Sequence, residues 1–234
     1  MQPFEPQDPV QRELAPLFRA VGDALSQNRL ALNQSDPVNG NHGDHMVEVF
    51  ELAAQAAAER PGSDVAATME HAAQLLAAQT GNGSAQVYAH GLEQVAHQLR
   101  RYHVSRDDLL SYVQETLSKD KEAGASGQAQ SSPSESGVSS SDVLKALMNG
   151  LAGWSQIESG QVPTDNPLDM GTLFEFGMAY MQARQHGGSR VEILADAAAS
   201  VSPLSKSPQR YASGKLAIQA LLTAMQGMSS GLPT

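Results

Sequence analysis

Apolar residues recur every three or four positions along most of this chain. Leu14, Leu17, Phe18, Val21 and Leu25 form one such stripe, and Val65, Met69, Ala72 and Leu76 form another. Residues at that spacing share one side of an α-helix, whereas a strand would need strict alternation. The chain is therefore expected to be all-α, built from amphipathic helices that bury one face each. Alanine and leucine dominate the apolar positions, and aromatic residues make up only 5%. Small apolar side chains suit closely packed helices, while strands favour β-branched and aromatic residues.

Punctuation divides the pattern into about nine helices, each bounded by a start or stop signal. The first is expected from Pro9 to Arg29 and runs on through Leu30, Ala31 and Leu32 into a polar loop, Asn33 to Asp44. A second begins near Asp44 or His45, carries Met46, Val49, Phe50, Ala53 and Ala57, and stops before Pro61-Gly62. Ser63 or Asp64 is placed to cap the third, and Thr80 to Ser84 separates it from a fourth that ends near Tyr102. Ser105 is placed to cap the next. Residues 119–141 lose the apolar period and become rich in Gly, Ser, Ala and Gln, as in a flexible linker. Beyond it, helices are expected over Ser141 to Trp154, Leu168 to Gln185, Arg190 to Val201 and Tyr211 to Met228. Residues 1–234 are read as a single helical domain interrupted by that linker.

Charge and composition exclude several functions. The formal net charge is −10, so no general attraction to nucleic acid or to an anionic membrane surface is expected. No run of apolar residues is long enough to span a bilayer, and the N-terminus lacks the pattern of a secretory signal. The chain has no cysteine, which removes disulfides, thiolate nucleophiles and Cys-based zinc sites. A soluble, cytoplasmic protein is the expectation.

Three Gly/Asn/Ser-rich segments are expected to feed helix N-termini, whose unpaired N–H groups and positive dipole end suit phosphate. They are Asp36 to Met46, Gly81-Asn82-Gly83-Ser84-Ala85, and Tyr211-Ala212-Ser213-Gly214-Lys215. Lys206, Arg210 and Lys215 add positive charge near the last. In the first, Asp36, His42, Asp44 and His45 put two imidazoles and two carboxylates in one loop. Such donors suit zinc or manganese, although His42 and His45 lack the spacing of a helical ligand pair. The plainer reading is that Asp44 caps a helix and the histidines bond locally. His71, His90, His97 and His103 read as packed or surface residues, and Met170, Met178, Met181, Met225 and Met228 as core filling.

The first loop also resembles a known family. Asn39-Gly40-Asn41-His42-Gly43, followed by Met46, resembles the phosphate and metal loop of the dihydroxyacetone-kinase nucleotide-binding (DhaL-like) family, which reads Gly-Asp-Gly-Asp-His-Gly or Asp-Gly-Asp-Thr-Gly and then Asn-Met. Gly40, His42, Gly43 and Met46 match. Asn39 and Asn41 stand where the family has paired aspartates, His45 stands where it has Asn, and Asp36 is a candidate for the upstream aspartate. Gly81-Asn82-Gly83-Ser84 resembles the family's second loop, Met170 falls in its Gly-Asp-Lys-Thr-Met segment, and Gly214 falls near its late Asp-Pro-Gly-Ala.

The resemblance implies a closed antiparallel barrel of about eight helices with a nucleotide site at one end. It implies that Asn39, Gly40, Asn41, His42, Gly43, Gly81, Asn82, Gly83, Ser84, Met170 and Gly214 face the nucleotide or its phosphates. It implies that Asn39 and Asn41, with Asp36 upstream, lie where magnesium would be held, while His42 and Asp44 join Asp36 as candidate metal ligands through the His/Asp alternative. The implied cofactor is magnesium with ADP or ATP, and the implied partner is a separate substrate-binding kinase subunit. Magnesium binds through hard anionic oxygens, so two amides in place of two carboxylates are expected to weaken or abolish magnesium-dependent phosphoryl transfer. A non-catalytic binding or scaffold protein on the same fold, and a His/Asp metal-binding protein, are the alternatives.

Overall fold

The computed structural model describes residues 14–60, 64–109, 111–112, 170–202 and 207–229. All eight elements among them are helical, so the protein is all-α there, as its apolar period requires. They are α1 (Leu14–Gln27), α2 (Arg29–Gln34), α3 (His42–Glu59), α4 (Val65–Ala77), α5 (Gly83–Arg101), α6 (Met170–His186), α7 (Arg190–Val201) and α8 (Pro208–Ser229). Residues 106–109 begin a further helical stretch. The expected linker at 119–141 and the expected helix over Ser141 to Trp154 lie outside the described residues.

Local signals set most boundaries. Asp64 caps α4 by accepting from the Ala67 N–H at 2.7 Å, and Asn82 caps α5 by accepting from Ala85 at 2.9 Å. Ser189 and Glu192 form a reciprocal capping box at the start of α7. Gly187 and Gly188, at φ 75° and 121°, make the reversal between α6 and α7, a conformation that side chains resist. Ser105 and Asp108 bond reciprocally where the stretch after α5 starts.

Four starts differ from expectation. Arg29 opens a separate short helix, α2, where the first helix is expected to run on, and α5 begins at Gly83, inside the expected Thr80 to Ser84 loop. α3 begins at His42 rather than at Asp44 or His45, and α8 begins at Pro208 rather than at Tyr211. Tyr211 to Lys215 is therefore helix and not a loop. Its Ser and Gly read as punctuation, yet Ser213 and Gly214 are buried inside α8, where small side chains let a neighbouring helix approach.

Helices that follow one another in sequence pack on one another, and α8 returns to pack on α1. The neighbours run α6, α7, α8, α1, α3, α4, α5. α3 lies at the middle of the described helices, touching α1, α2, α4, α5 and α8. Its contact with α1 and α4 is built on alanine: Ala15, Ala53, Ala56, Ala57 and Ala72 are buried around Phe18. Nearer the start of α3, Val21, Leu25, Leu32, Met46 and Ala217 bring α1, α2, α3 and α8 together. Phe50 and Tyr88 meet edge to face with centroids 5.6 Å apart, joining α3 to α5. Leu25 and Leu76 are fully enclosed, so truncating either to alanine should cost about 2–5 kcal/mol.

Of the methionines expected in the core, Met225 is buried but Met178 and Met181 are exposed. α6 packs on α7, and these two residues lie on its outer side. No helix among the described residues is long and apolar enough to cross a membrane.

Candidate functional site

The N-termini of α3, α5 and α8 meet at one end of the described helices. Asn82, the cap of α5, donates to the His45 carbonyl at 3.1 Å and to Glu48 Oε2 at 2.7 Å, which ties α5 to the first turns of α3. His42 Nε2 lies 2.9 Å from Ser213 Oγ, which ties α3 to α8. All three of Asn82, His42 and Ser213 are buried.

The amides at the start of α3 are already capped from within the protein. Asn41 occupies the N-cap position, but no cap bond comes from its own amide group. Asn33, from the end of α2, supplies the cap instead: its Oδ1 accepts from Gly43 N at 2.7 Å and Asp44 N at 3.2 Å. Its Nδ2 donates to Asp44 Oδ2 at 2.9 Å, and Arg29 lies 3.5 Å from Asp44 Oδ1. Asp36 accepts from the N–H of Val38 at 3.1 Å and of Asn41 at 3.4 Å. These bonds, with a further one from His42 N–H, hold its carboxyl below the usual carboxylate range. The loop thus folds around its own anion.

Gly43 makes this closure possible. A methyl there would stand 2.4 Å from the Arg29 carbonyl oxygen and 2.9 Å from Asn33 Oδ1, so only glycine lets α2 approach α3 this closely. Gly40 turns the loop at φ 67°. Asn39 and Gly40 are both exposed. Gly81 and Gly83 have open space where a Cβ would stand.

The Ser213 hydroxyl donates to the Arg210 carbonyl at 3.1 Å, and its oxygen lies 2.9 Å from His42 Nε2, with the direction of that second bond set by the imidazole tautomer. Burial pushes the His42 pKa below the ordinary imidazole value. The Asp36 carboxylate opposes that shift, and the Arg210 guanidinium reinforces it. Tyr88 is half-buried nearby, and desolvation raises its pKa. On the far side of α8, Asp196 of α7 accepts from the Tyr211 hydroxyl and from Lys215 Nζ. Those two donors hold its carboxyl down against desolvation.

The structure thus brings Asp36, Asn41, His42, Gly43 and Asp44 into one turn and joins it to Asn82 and Ser213. Gly214 lies in α8 next to the Ser213 that bonds His42, whereas Met170 opens α6, and nothing places it beside the loop. Ser84 sits in the first turn of α5. The half-buried His71 bonds Glu59 at 2.7 Å, and the more exposed His90 lies 3.5 Å from Glu93.

Sequence reasoning missed Asn33 and Ser213 as the partners that organise the loop. Neither carries a local signal, since their contacts lie 10 and 171 residues away.

The residues do not fit a pair of magnesium ions. Among the described residues no three His, Cys, Asp or Glu side chains gather where they could hold a metal ion. Asp44 is engaged by Asn33 and Arg29, and His42 by Ser213. Asn41 Oδ1 is buried without a hydrogen-bond partner, but one neutral oxygen does not balance a dication. Two grooves, of about 660 Å³ between α1 and α8 and about 610 Å³ between α4 and α5, are not lined by any of these loop residues.

No protein-family model matches the sequence, and no match is found among curated proteins or among solved structures.

Proposed function

We propose that this protein is a divergent DhaL-like helical domain that acts as a non-catalytic binding or scaffold protein. The phosphate and metal loop has become a structural clamp. One observation carries this reading: Asn33 and Asp36 occupy the backbone amides at the start of α3. In a phosphate loop those amides would face the ligand.

Two features support the ancestry. The loop keeps Gly40, His42, Gly43 and Met46 in the family's order. The packing of each helix on its sequence neighbour, with α8 returning to α1, is what one side of a closed antiparallel barrel requires. A third supports loss of the chemistry. A loop whose carboxylates are tied to N–H groups and an arginine offers a nucleotide-bound dication little negative charge.

Thermal denaturation with Mg-ADP, Mg-ATP, manganese and zinc tests this reading. No ligand is expected to raise the Tm. Tight magnesium-dependent binding of ADP by the unaltered protein would overturn the proposal and restore a kinase-subunit role, with a separate substrate-binding subunit as partner. Stabilisation by zinc or manganese alone would point to the His/Asp alternative. Gain of magnesium-dependent ADP binding by the double variant Asn39→Asp, Asn41→Asp would show that only the ligands were lost.

A further inference from the structure

Two Asn-Gly pairs lie among the described residues, Asn39-Gly40 and Asn82-Gly83, and the structure treats them oppositely. Asn-Gly is the dipeptide most open to attack by a backbone nitrogen on the preceding side chain, because glycine has no Cβ to block the approach. The reaction needs an unconstrained side-chain amide, a free following N–H, local backbone freedom and access to water.

Asn82 meets none of the side-chain requirements. It is 3% exposed, its Oδ1 accepts from Ala85, and its Nδ2 donates to His45 and Glu48. Asn39 is exposed, and Gly40 after it is exposed and turned to φ 67°. Among the described residues no hydrogen bond engages the Asn39 side chain or the Gly40 N–H. The flanking groups are nonetheless held: Asp36 accepts from Val38 and Asn41, which leaves Asn39-Gly40 as the free apex of the loop.

We infer that Asn39 is a site of spontaneous deamidation in the folded protein, while Asn82 is protected. The Gly40 backbone nitrogen loses its proton to solvent and attacks Asn39 Cγ. A new bond forms between that nitrogen and Cγ, the bond from Cγ to Nδ2 breaks, and ammonia leaves, giving a five-membered cyclic imide. Water then opens either carbonyl of that ring. One product is aspartate at 39, and the other is the isoaspartyl linkage, in which the backbone runs on through Cγ. The net change is one water consumed and one ammonia released, with a new carboxylate at the apex. The inference does not depend on the proposed function, because it uses only exposure, bonding and backbone geometry.

Peptide mass spectrometry of the full-length protein after incubation at mildly alkaline pH tests it, with a parallel sample unfolded in urea. The Asn39 peptide of the folded protein should gain the mass of an NH2-to-OH exchange at a rate within about tenfold of the unfolded sample, as expected of a loop apex that needs no unfolding to react. The Asn82 peptide should convert at least about 100-fold more slowly folded than unfolded, because its reaction waits for opening of the structure. Both aspartyl and isoaspartyl forms should appear at 39. Asn39→Gln should abolish the gain in that peptide, and Gly40→Ala should slow it. Protection of Asn39 as strong as that of Asn82, or equal conversion of the two in the folded protein, overturns the assignment. Asn149-Gly150 lies outside the described residues and does not enter the comparison.

Discussion

The loops that precede α3 and α5 are alike in composition and unlike in construction. Both are rich in Gly and Asn, both lead into long helices, and in both an asparagine amide group caps the first backbone N–H groups. Before α5 the cap is local: Asn82 sits at the N-cap position and bonds three residues ahead. Before α3 the cap comes from Asn33, ten residues back, and a close approach at Gly43 makes room for it. The first loop is defined by packing against α2, and the second by a buried side chain with open glycines around it. Similar letters therefore serve a tight interlock in one place and an ordinary helix start in the other.

Substitutions can break that contrast, and the largest effect belongs to the tighter loop. Gly43→Ala should cost about 3 kcal/mol or more, read by urea unfolding, because the new methyl meets the Arg29 carbonyl and backbone must move. Asn82→Ala should cost about 2–3 kcal/mol, since it removes the α5 cap, leaves the buried Ala85 N–H unbonded and frees the part-buried His45 carbonyl and Glu48. Asn33→Ala should cost about 1–2 kcal/mol and free two amides at the start of α3. If that variant gains affinity for phosphate, the clamp is what excludes it. Gly81→Ala and Gly83→Ala should be neutral or stabilise by up to about 1 kcal/mol, because neither glycine has a positive φ or a close neighbour. A large loss at either would erase the distinction between the loops.

A pH dependence sharpens the same comparison, since only the first loop holds a buried imidazole. His42 is kept below its ordinary value of 6.5 in the folded protein, first by burial. The unfolded state therefore takes up the proton before the native state does. The stability held above 6.5 should fall as pH drops through that value, and stop falling once the folded ring titrates. Chemical denaturation on both sides of 6.5 checks this, and His42→Gln should flatten the slope.

How much of this is legible in the letters follows from the range of each interaction. Helix class and most helix ends follow from apolar spacing and from caps three residues long. The helix from Arg190 to Val201 has the boundaries its sequence predicts, because Ser189 and Glu192 signal its start locally. The start of α3 escapes such reading because its cap is remote. The start of α8 escapes it because Ser213 and Gly214 look like loop residues until His42 and the neighbouring helices are seen against them. Met178 and Met181 read as core filling because methionine is apolar and adaptable, but residue type does not say which side of α6 meets α7.

The antiparallel seating of α8 on α1 has a topological consequence. Leu17 packs against Met225, and Leu25 shares a cluster with Ala217, so the outer ends of the first and last described helices lie side by side. Among the described residues, a short bridge from residue 229 to residue 14 would join helix ends that already lie together. A circular permutant closed there and reopened at the exposed Gly187-Gly188 turn should keep the α6–α7 packing and the His42–Ser213 bond, while making Leu17 and Met225 near neighbours in sequence.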